Sequence, residues 1–211
     1  MSERESNERL VVTTTASTFV GAPTQAIAVR TVQVHELIVK VTSDLSNEQL
    51  TRRPADVAPS VAPPIAWHLW HIARWADFLQ ASLPSMATEL EDRLGPGRQI
   101  WEAENLAAKW GLTASAGYRD TGMGLDDDGS TRLRLPEKGV LLEYGRRTFA
   151  KADRAVSAVS EELFVTACTD LYERKTSIGT AVMSHLTHAN RHLGMIEALK
   201  GILGVRGTAT L

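Results

Sequence analysis

The chain has 211 residues, 43% of them hydrophobic and 23% charged, an ordinary globular composition with enough apolar content for one core. Twenty-three basic residues against 25 acidic ones leave a net charge of −2, so no strong field of either sign is available to hold a polyanion, and nucleic acid is not an expected partner. The single Cys168 has no intrachain disulfide partner, Met1–Arg9 carries charge where a signal peptide needs an apolar run, and no stretch reaches the roughly 18 apolar residues that cross a bilayer; a reducing cytoplasm without membrane contact fits best.

Residues 1–22 mix charges with the run Thr13, Thr14, Thr15, show no helical period, and read as a flexible N-terminal arm. Helix one is predicted from Gln25 to about Thr42, with Ile27, Val34, Leu37, Ile38 and Val41 on one face. The segment to Pro64 holds four prolines and reads as a loop. Helix two starts at Pro64, a residue preset for a first turn, and runs to about Ser82. Residues 84–135 are rich in Gly, Pro and Asp and read as a long excursion over the bundle, broken by one helical stretch from Arg98 to Lys109. Helix three starts at Pro136 and carries Leu141, Leu142, Tyr144, Phe149, Ala152, Val156 and Val159 toward Leu163. Ser177 caps helix four, Ile178 to about Leu203, whose apolar face holds Val182, Leu186, Leu193, Ile196 and Leu199. No strand alternation is evident. The reading is an all-α, up-down-down-up-type four-helix bundle over 23–211, with a long loop insertion between helices two and three.

The histidines are the informative feature. His68 and His71 lie together on helix two, and His185, His188 and His192 fall within eight residues on helix four. His188 and His192 are one helical turn apart, so both imidazoles can converge on a point just off the helix surface. Such a pair alone is weak evidence, since it arises often by chance; a second cluster on another core helix argues for a metal held by three nitrogens with positions left open. His35, alone on an apolar face, reads as a core or rim residue. Cys168 reads as an ordinary thiol, and Asp126, Asp127, Asp128 and Gly129 as a solvated acidic turn without the oxygen pattern of a calcium loop.

Three segments carry a family resemblance. Leu45–Pro54 reads LSNEQLTRRP, Ile65–Arg74 reads IAWHLWHIAR, and His188–Ile196 reads HANRHLGMI. In order and spacing they resemble the DinB-like superfamily of metal-dependent four-helix bundles, which includes mycothiol-dependent maleylpyruvate isomerases and bacillithiol transferases. The resemblance covers about residues 24–205 and implies His71, His188 and His192 as the ligands of one divalent ion. Met195 stands where the family commonly carries Gln, and the insertion is longer than in compact members. A homodimer through exposed helix faces is compatible with this resemblance.

Three neutral imidazoles leave a divalent charge uncompensated, which makes the ion a strong Lewis acid. Zinc, nickel, iron, manganese and cobalt all suit imidazole ligands. The resemblance implies transfer of a low-molecular-weight thiol to a small electrophilic substrate; hydrolysis by metal-activated water and a non-catalytic metal-binding stress-response module are the other readings. His68 or His185 is placed to shuttle protons. Trp67 and Trp75 are expected on a substrate pocket, the excursion with Trp101 and Trp110 as its roof, and Arg74 and Arg98 as donors to a charged thiol.

Overall fold

The computed structural model describes residues 22–56, 62–112, 116–170 and 174–207. The expected N-terminal arm lies outside them, Ala22 apart. Four long helices form the bundle: α1 (Pro23–Ser43), α3 (Ile65–Met86), α8 (Lys138–Ser157) and α10 (Ile178–Ile202). Between the first two lie α2 (Asn47–Thr51), closed by a reciprocal capping box of Ser46 and Gln49, and a 3-10 turn at Pro54–Asp56. Residues after α3 form α4 (Thr88–Leu94), α5 (Ile100–Ala103), α6 (Leu106–Lys109) and α7 (Asp127–Arg132). α9 (Glu161–Val165) and a hairpin of β1 (Ala167–Thr169) and β2 (Lys175–Ser177) lead into α10.

Side-chain pairings give the helix directions. His35 meets His185 and Lys200 donates to the carbonyl of Val41, so α1 and α10 run parallel. His68 meets His192 and His71 meets His188, so α3 and α10 are antiparallel. His35 meets Asp153 while Lys138 reaches the carbonyls of Ser43 and Leu45, so α1 and α8 are antiparallel. The order is therefore up-down-down-up, with α3 and α8 as parallel neighbours. A 22-residue helix is about 33 Å long, and a chain joining parallel neighbours must travel back that distance, which accounts for the long connection.

α3 is buried almost all round, as its composition requires. α8 and α10 cover two of its sides. The excursion covers another, and Arg74 and Asp77 fasten it there. Both are buried, with 3.3 Å between Arg74 Nη1 and Asp77 Oδ2. Asp77 Oδ1 accepts from the backbone N–H of Ile100 and Oδ2 from that of Trp101, each at 2.9 Å, so this carboxylate caps α5 from another helix. Tyr144 donates to Asp77 Oδ2 at 3.0 Å; burial first raises the phenol well above its ordinary range, so it stays a donor. Arg74 donates to the carbonyl oxygens of Arg119 and Asp120 at 3.1 and 2.8 Å and to Gln99 Oε1 at 3.0 Å.

Several boundaries differ from the sequence reading. The stretch from Arg98 to Lys109 is two helices, because Asn105 takes a left-handed φ of 51°. Helix three stops at Ser157 rather than Leu163, and Ser160 caps a new turn by accepting from Leu163 N–H. The excursion contains α4 and α7 as well; Asp126 caps α7, accepting from Gly129 N–H, so the acidic run is a helix start. The hairpin went unread because strands of three residues are too short to show alternation. Among the described residues, no helix is long and apolar enough to cross a membrane.

Asp77→Ala leaves the Arg74 guanidinium buried without its carboxylate and α5 uncapped. We expect it to cost about 3–5 kcal/mol in urea unfolding, whereas a loss under about 1 kcal/mol would show that the network does not hold the excursion down.

Candidate metal centre

Two antiparallel helices bring the histidines together. His71 Nε2 lies 3.2 Å from His188 Nε2, and His192 Nε2 lies 3.0 Å from the same atom. The ligand atoms of these three residues all lie within 4.8 Å of one another. Three nitrogens on one ion at about 2.0–2.1 Å are about 2.8–3.4 Å apart for octahedral to tetrahedral angles, so the observed separations fit shared coordination. Among the described residues, no carboxylate or thiol joins the group.

The proton inventory agrees. His71 Nδ1–H donates to the carbonyl of Thr121, so the neutral ring presents a bare Nε2. Protons shared among the three Nε2 atoms cannot satisfy both contacts with His188, since one ring nitrogen carries at most one hydrogen and His71 Nε2 carries none. At least one contact is left without a hydrogen bond, an arrangement that a cation bound by three bare nitrogens relieves. Burial is the main cause that holds these rings neutral: it lowers His71 to about 3, His188 to about 4 and His192 to about 2, and the crowding of ionisable neighbours disfavours a proton on each further.

The surroundings hold His71 in place. Trp67 stacks on its ring at 4.6 Å and 12°. Thr121 belongs to a tight turn in which Arg119 and Asp120 take left-handed φ of 51° and 53°, a conformation held by the two carbonyl bonds from Arg74. Gly122, with φ of 84°, lies so close that a Cβ would sit 2.9 Å from Trp70 Cζ3, 3.0 Å from Trp67 Cζ2 and 3.2 Å from His71 Nδ1. Such partners behind a ligand fix its tautomer and direction.

A cavity of about 620 Å³ opens beside the three rings, with His71, His185 and His188 on its wall. Trp75, Leu79, Met86 and Met123 supply apolar surface, and Asp170, Arg174 and Lys175 supply charge where the hairpin meets the opening. The other expected residues lie elsewhere. Arg74 is 1% exposed and held by the network described above, so it does not face the cavity as a donor, and Trp101, which packs beneath its guanidinium at 4.5 Å and against Trp110, does not roof it, nor does Trp110. Sequence gave no means of seeing that Arg74 would be paired internally. Arg98 lines a separate small recess, and its carbonyl accepts from Gln80. Trp67 backs His71 rather than lining the opening. His68 lies behind His192, Nδ1 to Nδ1 at 2.8 Å, and burial lowers it to about 4. His185 reaches the wall; burial first, then His35, holds it well below the ordinary range. Cys168 lies on β1, its thiol pushed up by burial and then by Asp170. Arg174, Lys175 and Met123 were missed because only the folded hairpin and turn bring them to helix α10.

Three imidazoles from two antiparallel core helices, on an up-down-down-up bundle, define a four-helix protein with a site that can hold one metal ion. Residues 30–196 match the family model of the DinB superfamily, and the chain belongs to that superfamily. In fold it is similar to a conserved protein from Enterococcus faecalis, at 16% identity and a TM-score of 0.68, over 87% of this chain and 99% of that one. No curated protein matches the chain in sequence.

Two outcomes follow from this geometry. Gly122→Ala forces a methyl group against both indoles and His71 in a backbone conformation that L side chains resist, and should weaken zinc binding about 10–100-fold in a chelator competition; unchanged affinity would contradict the backing role. The five lowered histidines also make stability depend on pH. Unfolded rings take protons below the ordinary value of 6.5 that the folded rings refuse, so the stabilisation is present above that value and falls as pH drops toward the folded values. The melting temperature of the metal-free protein should decline steadily from pH 7.5 to pH 5, and a flat profile would contradict it.

Proposed function

We propose that this protein is a metal-dependent thiol S-transferase: one divalent ion on His71, His188 and His192 brings a low-molecular-weight thiol, as thiolate, to a small electrophile in the adjoining cavity. The observation that carries this reading is the cavity itself, which reaches two of the three ligand rings and falls within the range of about 300–1,000 Å³ typical of small-molecule sites. A protein that only stored metal would have no use for such a space. When bound, the ion supplies Lewis-acid activation of the nucleophile.

The chain's own residues support the choice of thiol over water. Trp75, Leu79, Met86 and Met123 exclude water from the apolar wall, which suits an organic electrophile better than a small solvated site. Arg174, ion-paired to Asp170 at 2.7 Å, and Lys175 on β2 place positive charge at the opening, where the carboxylates of a charged thiol would lie. Zinc, nickel, iron, manganese and cobalt all match the nitrogen donors, and loading decides among them.

The test is to load the protein with each of these metals and supply glutathione, mycothiol or bacillithiol with an electrophile that releases a chromophore. Thiol consumption that needs metal and falls at least about 100-fold in His188→Ala is the expected result. Hydrolysis of an ester without thiol would replace this reading with a hydrolase, and metal binding without either reaction would replace it with a binding module. Lys175→Ala should raise KM for the charged thiol several-fold with little change in kcat, and an unchanged KM would remove the hairpin from thiol recognition.

A further inference from the structure

Beside the metal face, polar groups from three helices are joined in a row inside the bundle. Asp153 Oδ1 on α8 lies 2.7 Å from Nδ1 of His35 on α1, and His35 Nε2 lies 2.9 Å from Nε2 of His185 on α10. His35 is 1% exposed and stacks on Phe149 at 4.4 Å and 12°, so its ring cannot turn without disturbing the core. His185 ends the row on the wall of the same cavity that His71 and His188 line. Packing alone does not call for such a row, since apolar side chains fill core positions at lower cost than two buried imidazoles and a part-buried carboxylate.

The hydrogen bonds assign the protons. A carboxylate only accepts, so His35 Nδ1 carries a hydrogen; the neutral ring then presents a bare Nε2, which accepts from the Nε2–H of His185. Nδ1 of His185 is left as the basic atom. The geometry points to a proton store: His185 takes the proton that a thiol gives up in the cavity, and the His35–Asp153 pair holds it until the product takes it back. This rests on the thiol-transfer reading above. In the forward step the S–H bond breaks and an N–H bond forms at His185 Nδ1, while the Nε2–H of His185 passes to His35 Nε2, leaving an imidazolium against the Asp153 carboxylate. In the return step the same bonds are remade in reverse, the proton ends on the product, and both rings recover their tautomers. His35 and Asp153 act through His185 and are positioning residues.

Long-range proton–nitrogen NMR on the full chain, metal-free and zinc-loaded, reads the tautomers directly. His35 should carry its hydrogen on Nδ1 and His185 on Nε2. His35→Phe, which keeps the contact with Phe149, should leave His185 as a mixture of tautomers. Asp153→Asn, at a partly exposed position where folding is less at risk, should keep both tautomers, since the amide oxygen still accepts, but it lacks the charge that holds an imidazolium. The second readout is the proton count when 2-mercaptoethanol binds to cobalt-loaded protein at pH 7.5 in weak buffer. Wild type should release close to none, and both variants about one per thiol bound. A wild-type His185 with its hydrogen on Nδ1, or equal proton release from all three proteins, overturns the store. If no thiolate-to-cobalt absorption appears in wild type, the thiol reading fails, and the tautomers alone decide whether the row is built as described.

Discussion

The hydrogen bond that His71 Nδ1–H donates to the carbonyl of Thr121 is the point where the helical bundle and its long excursion meet. One bond sets the tautomer, turns the bare Nε2 toward His188 and His192, and makes the ligand geometry answer to a turn fifty residues away. That turn is itself held: Arg74, one helical turn below His71 on α3, fixes the carbonyls of Arg119 and Asp120, and Asp77 fixes Arg74 while capping α5. The three-histidine centre is therefore stiff because a buried ion pair on the same helix anchors the loop that orients His71.

The topology gives this arrangement its reason. Parallel neighbours α3 and α8 need a connection that runs back along the bundle, and the central helix α3 has an apolar outer face to cover. One segment meets both needs. In crossing, it brings Thr121, Gly122 and Met123 to the metal face, while the hairpin before α10 closes the opposite side with Arg174 and Lys175. The cavity lies between α3 and α10, with Met123 and the hairpin at its edges and His71 and His188 on its wall. Function-bearing side chains thus sit on rigid helices, and the parts that shape access sit on loops.

How much of this was legible depended on how local each signal is. The spacing of His188 and His192 needs only one helical turn, while the choice of His71 over His68 rested on the family resemblance of Ile65–Arg74. Four long helices showed in their apolar periods, and their bounds came within a few residues except where a half-buried turn at Ala158 broke the third early. Long-range pairing was not legible. Arg74 read as a donor to a charged thiol, and only the fold supplies Asp77, Tyr144 and the two carbonyls that engage it. Trp101 and Trp110 looked like a roof, but Trp101 is core and Trp110 packs half-buried against it. His35 read as a core or rim histidine and is buried in the core, but its partners Asp153 and His185 are more than a hundred residues away, so nothing nearby marked it as part of a polar row.

The most direct measurement of the central claim is X-ray absorption at the metal edge of the zinc- or cobalt-loaded protein. Three imidazole nitrogens at about 2.0–2.1 Å, with the remaining positions held by solvent oxygen and replaced by sulfur when a thiol is added, are what the geometry of His71, His188 and His192 predicts. One or two imidazoles, or a shell completed by a protein thiolate or carboxylate, would contradict an open three-histidine centre.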